Sequence, residues 1–85
     1  MNVTVLYFAR LREAVGHSHD QFALPVEVAT VAQLRAWLAA RGAPWSSAFA
    51  EVKRIRAAVD QTMADDDVRL HEGAEVAFFP PVTGG

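Results

Sequence analysis

The first residues of the chain alternate. Val3, Val5 and Tyr7 fall on one side and Thr4, Leu6 and Phe8 on the other, in a run rich in β-branched and aromatic side chains, which predicts a first strand over Asn2 to Phe8. Both sides become apolar at its far end, so this strand is either central and doubly covered or turns one face to a partner. From Ala9 to Val15 the spacing changes. Leu11 and Val15 lie four apart, as on one face of a short helix, and Gly16 supplies a stop. The polar stretch His17 to Asp20 is expected to be a loop, and Gln21 to Leu24, closed by Pro25, a second strand at an antiparallel edge.

The main helix begins at Thr30. Thr30 with Gln33 three positions later forms a capping box, and Val31, Leu34, Trp37 and Leu38 recur at helical spacing, with Gly42 and Pro44 as the stop. Trp37 is assigned to the core and Trp45 to a loop covering the core's end. After Ala57 the apolar positions come in short pieces. Ala57 to Val59, Thr62 to Met63 and Val68 to Leu70 are expected as short strands or strand-like turns, separated by Asp-rich turns, and His71 to Gly73 as a turn. Glu75 to Phe79 is the last strand, stopped by Pro80 and Pro81.

This order leaves no room for repeated βαβ crossovers. It predicts an α+β fold, a mixed sheet with one main helix packed across it, over residues 1–79, and an extended tail over residues 80–85. The size agrees. A chain of 85 residues buries only about two-thirds of its unfolded surface and supports one modest core, a poor host for a deep, self-contained active site.

Charge and cysteine content narrow the function. The formal net charge is −2 and the Lys and Arg residues are scattered, which argues against nucleic acid as a partner. There is no cysteine, so disulfides, zinc-thiolate sites and a cysteine nucleophile are excluded, and stability rests on packing. No apolar run approaches the roughly 20 residues that span a bilayer, and the first residues lack a basic segment ahead of an apolar one. The expectation is a cytoplasmic protein with no membrane partner.

The tail carries the chemistry. Two prolines without amide hydrogens push the chain away from the sheet as a stiff segment. The run Pro80, Pro81, Val82, Thr83, Gly84, Gly85 spans roughly 20 Å when extended, and its last two residues have no side chains to obstruct a narrow channel. Such an arm can deliver the Gly85 carboxyl into another protein. A carboxylate is a poor electrophile, but nucleotidyl transfer makes an acyl-adenylate open to sulfur or nitrogen. If the chain carries sulfur, the Gly85 carboxyl must hold it as a thiocarboxylate, because no thiol exists elsewhere. The plain alternative is a frayed terminus.

The string Glu75 to Gly85, EVAFFPPVTGG, resembles the C-terminus of the MoaD family of sulfur carriers, the small subunits of molybdopterin synthase. The N-terminal VLYFARLREAVG is similar to that family's first strand and helix, and AAVDQTMA to its hairpin. The match is weakest over Ser18 to Val28. The resemblance implies a ubiquitin-like β-grasp. It further implies that an E1-like adenylyltransferase uses ATP to adenylate Gly85, and that a sulfur donor system converts it to the thiocarboxylate. The tail then enters the large synthase subunit, where sulfur passes to cyclic pyranopterin monophosphate on the way to the molybdopterin dithiolene. The family's usual assembly is a heterotetramer, and its acid-base groups belong to the large subunit, so the small one binds no cofactor and has no catalysis of its own. The family commonly has Asn where this chain has Asp60.

Other candidates are weaker. His17 and His19 are too few to bind a metal, and Asp65 to Asp67 lack the spacing of a calcium loop, so no metal site is assigned. Lys53, Arg54 and Arg56 form a small basic group suited to a solvated face or to docking an acidic or nucleotide-bearing activator. Strand alternation places Phe79 with Phe8, and with Met63 if their strands are neighbours, in an apolar patch expected to meet a partner. Two further readings stand beside the carrier of molybdopterin synthesis. One keeps the tail but changes the acceptor to thiamine or tRNA thiolation or to protein modification, and the other is an interaction module with an inert tail.

Overall fold

The computed structural model describes residues 1–81. Five strands and three helices follow one another as β1 (Asn2–Tyr7), α1 (Ala9–Val15), β2 (His19–Ala23), α2 (Val31–Ala39), α3 (Trp45–Glu51), β3 (Arg56–Val59), β4 (Thr62–Ala64) and β5 (Ala74–Phe79). The strands form one sheet in the order β2-β1-β5-β3-β4. The pair β1 and β5 is parallel, and the other pairings are antiparallel. This is the mixed sheet of an α+β, ubiquitin-like β-grasp.

Strand alternation decides what the sheet buries. Val3, Val5 and Tyr7 of β1, Ala74, Val76 and Phe78 of β5, and Ala57 and Val59 of β3 point the same way into one core. The helices answer with Leu11 and Val15, with Val31, Leu34 and Leu38, and with Ala48. No polar or charged residue is buried among the described residues, so packing is the principal stabilising term.

The helix ends follow the sequence. Thr30 Oγ1 accepts from the Gln33 amide at 3.2 Å while Gln33 Oε1 accepts from the amides of Thr30 at 3.1 Å and Ala29 at 2.8 Å. Gly16 ends α1 at φ 96°, a left-handed conformation that suits glycine, and its amide donates to the Arg12 carbonyl.

Three expectations are corrected. The polar His17 to Asp20 stretch is not all loop, because β2 starts at His19, where the ladder pairs Leu6 with His19 and Val5 with Asp20. Val68 to Leu70, expected as a short strand or a strand-like turn, takes the second form, with Arg69 in an isolated bridge to Thr30. Trp45 opens a third helix rather than lying in a loop, with Pro44 just before its first turn, so the proline marks a start as well as a stop. Trp37 is half-buried at the core's margin, its ring edge-on to Phe22 at 5.2 Å. The terminal strand ends at Phe79 and the two prolines follow outside the ladder, as expected. The remaining tail residues, Val82, Thr83, Gly84 and Gly85, lie outside the described residues.

Candidate functional site: the tail root and the open sheet face

The helices occupy one side of the sheet, and the other side is set by the register. Leu6 pairs with Ala77, Ala77 with Ala58, and Ala58 with Met63, one row across four strands on the face opposite the core. One step nearer the tail, Phe79 pairs with Arg56. Phe8 joins this second row because its amide donates to the Phe78 carbonyl at 3.1 Å, extending the parallel ladder one residue past Tyr7. Phe8 and Phe79 therefore stand side by side, and Met63 lies three strands from β1, roughly 14 Å away at ordinary strand spacing.

All three expected patch residues thus share one face. Phe8 is 44% and Met63 54% exposed, and Phe79 is half-buried. Leu6, set with Phe8 on the outer side of the first strand, fills the space between them together with Ala58 and Ala77, which were not singled out from the sequence. The alternation of β1 and β5 carried that signal for Leu6 and Ala77, but the register was needed to align them with Met63. Pro80 and Pro81 follow Phe79 directly in the chain and are themselves half-buried.

The core face bears a polar network at the α1–β2 connection. The buried Tyr7 hydroxyl donates to Asp20 Oδ2 at 2.9 Å and accepts from Trp45 Nε1 at 3.0 Å. Burial holds the Tyr7 phenol well above its ordinary range; the Trp45 bond opposes the rise and Asp20 adds to it. His17 Nε2 also meets Asp20 Oδ2, at 2.6 Å, while His19 Nδ1 faces Ser18 Oγ at 2.9 Å. The two histidines are therefore engaged separately. Among the described residues no three His, Cys, Asp or Glu side chains converge as a metal site would need. Arg41 lies over the rings of Phe22, Trp37 and Trp45 at 4.7, 4.9 and 4.7 Å, covering the aromatic margin of the core.

The Asp-rich segments have structural tasks. Asp66 accepts from Arg35 Nη2 at 3.1 Å, while Arg35 Nη1 donates to the Ile55 carbonyl at 2.6 Å. Asp60 and Gln61 turn the β3–β4 hairpin at φ 50° and 69°. The Asp60 carboxylate accepts from the Glu75 amide at 3.0 Å and meets His71 Nε2 at 2.5 Å. The Glu75 amide, with His71, holds the Asp60 carboxyl below its ordinary value; Asp60 in turn raises the His71 imidazole. No helix among the described residues is long and apolar enough to cross a membrane.

The described part of the site is therefore an apolar sheet face that ends at Phe79, where the two prolines begin. Comparison with known proteins agrees with that arrangement. The sequence profile of the ThiS family matches residues 5–85. The chain belongs to the ThiS family.

This ThiS-family chain is 45% identical over 83 residues to the molybdopterin synthase sulfur carrier subunit of Escherichia coli, covering 98% of the chain and 99% of that relative. Among solved structures it is similar to a Pyrococcus furiosus protein described as molybdopterin converting factor subunit 1, with 26% identity and a TM-score of 0.72 over 96% of this chain and 99% of that one. It also shares its fold with a chain in the complex of subunits 1 and 2 of the molybdopterin-converting factor of Helicobacter pylori, with 20% identity, a TM-score of 0.68 and full coverage of both chains.

Proposed function

We propose that this ThiS-family chain is the sulfur carrier subunit of a molybdopterin synthase. The observation that carries the reading is full-length similarity, at 45% identity, to a relative bearing that name, with the family match reaching Gly85 itself. The geometry supports it, since the last strand runs straight into the proline arm beside an open apolar face.

The chemistry then falls to the Gly85 carboxyl. Its oxygen attacks the α-phosphorus of ATP in an E1-like adenylyltransferase, and pyrophosphate leaves. Sulfur delivered at the hydrosulfide level by a donor system displaces AMP, leaving a thiocarboxylate. The tail next enters the large synthase subunit, where the thiocarboxylate sulfur bonds to a side-chain carbon of cyclic pyranopterin monophosphate as that carbon's oxygen substituent leaves; hydrolysis of the resulting acyl link leaves sulfur on the pterin and returns Gly85 as a carboxylate. Val82, Thr83 and Gly84 give the terminus its slender approach, and Pro80 and Pro81 aim it. Phe8, Phe79 and Met63 are the contact surface for the large subunit, in a heterotetramer. The site of action is the cytoplasm, where ATP is available and a cysteine-free chain needs no oxidising compartment.

The experiment is intact mass after incubation with the adenylating enzyme, ATP and a sulfur donor. A gain equal to exchange of one carboxyl oxygen for sulfur is expected for the full chain and not for one lacking Gly85. No gain with a competent activator would remove the carrier reading, and Gly85 in an isopeptide bond to a lysine would replace it with protein modification.

A further inference from the structure

The chain is acidic overall, yet cations gather where the tail leaves the sheet. The α3–β3 loop brings Lys53 and Arg54 next to the start of α1, where Arg10 stands, and these three side chains rim an open groove of about 550 Å³. Its floor is apolar, made by Ala9, Val52 and the two tail prolines, Pro80 and Pro81. Glu51 is the single carboxylate on its lining. Arg10, Lys53 and Arg54 are exposed and make no ion pair among the described residues. Both walls hold a non-glycine residue in the left-handed region, Ala9 at φ 53° and Arg54 at φ 56°, a conformation costly for L-residues.

We infer that this groove docks an acidic segment of the enzyme that activates the tail. Carboxylates of that segment meet Arg10, Lys53 and Arg54, and an aliphatic side chain between them sits on the proline floor. The inference rests on the carrier function proposed above. A protein segment fits better than a nucleotide, because phosphates are held by convergent backbone amides or buried donors, whereas these cations stand in water around an apolar strip. The activator fits better than a permanent subunit. Exposed rim charges accelerate encounter and add little to residence time, which suits a partner the carrier must leave after each loading. With Pro80 and Pro81 in its lining, the groove adjoins the root of the segment that such an enzyme takes.

The test is stopped-flow association of the full chain with its adenylating enzyme and ATP, from low to high salt. The variants are Arg10→Glu with Lys53→Glu, Lys53→Glu alone, and Arg69→Glu as an exposed charge reversal outside the groove. The double variant should associate about tenfold or more slowly at low salt, Lys53→Glu alone about threefold, with both differences shrinking at high salt and Arg69→Glu close to wild type. If the double variant melts early, Lys53→Glu alone decides. Equal low-salt rates for Lys53→Glu and wild type, with the wild-type tail still adenylated, would overturn the groove and leave the carrier function standing. A wild-type tail that an active enzyme never adenylates would overturn both.

Discussion

Phe8 and Phe79 lie abreast at the ends of two parallel strands, joined by the bond from the Phe8 amide to the Phe78 carbonyl, on the side of the sheet away from the core. Each residue is followed by a change of direction. After Phe8 the chain turns into α1, and after Phe79 it meets two prolines. The apolar face and the tail root are therefore neighbours, and under the proposed function a protein that takes the tail is expected to meet both rings.

Phe8→Asp and Phe79→Asp should each weaken binding to the large synthase subunit by roughly tenfold to a hundredfold, as expected for aromatic anchors at the centre of an interface. Because Phe8 is 44% exposed, its variant should fold as wild type does. Calorimetric titration paired with a thermal melt separates the two effects, and undiminished affinity in both variants would place the interface elsewhere.

Arg35 ties α2 to two connections by donating to the Ile55 carbonyl and to Asp66, and it stacks on Phe78 at 5.7 Å. Arg35→Met keeps much of the packing but leaves the Ile55 carbonyl without that donor. A loss of about 1–2 kcal/mol is expected in urea unfolding, with no change in tail chemistry.

Tyr7→Phe removes the hydroxyl that links Trp45 to Asp20. The expected cost is about 1–2 kcal/mol, because the half-buried indole N–H loses its acceptor. Trp45 fluorescence should shift in the folded variant as its hydrogen bond is lost.

The Asp60–His71 pair gives stability a pH dependence whose sign follows from two opposite shifts. His71 is raised above its ordinary value of 6.5, so its contribution is complete below that value and fades as pH rises through the higher folded one. Asp60 is lowered from 3.8, so its contribution is present above that value and is lost as pH falls through the lower folded one. Both groups are exposed and the effect is small. In Asp60→Asn the alkaline decline should flatten while the Glu75 amide keeps its acceptor. Melting temperature against pH for the two chains is the check.

Much of the fold was legible because local and global signals agreed. The Thr30 and Gln33 side chains announce α2 before any packing is known, and β1 and β5 are dense in β-formers. The third helix was not legible for the opposite reason. Trp45–Glu51 has no side-chain cap and only seven residues, and it is helical because Ala48, with Phe49, Trp45 and Val52, packs onto the sheet's core side. His19 and Asp20 look like loop residues, yet they pair with β1 through backbone groups that side-chain chemistry does not reveal. Trp37 has helical core spacing but sits at the margin, where Arg41 covers it. At the site, Phe8 and Phe79 could be matched from alternation, whereas Met63 joined them only once β4 was seen to pair with β3. The groove beside the prolines depended on the α3–β3 loop meeting α1, a contact with no signature in either segment.

The strand made last is the middle strand of the sheet. β5 joins β1 on one side to β3 on the other, so a chain that stops before Ala74 has two separate fragments of sheet and no route to a common core. Folding is thereby tied to completion of the very segment that carries the tail. An interrupted product should stay unfolded and open to proteolysis, and should not persist as a tailless decoy competing for the partner's surface.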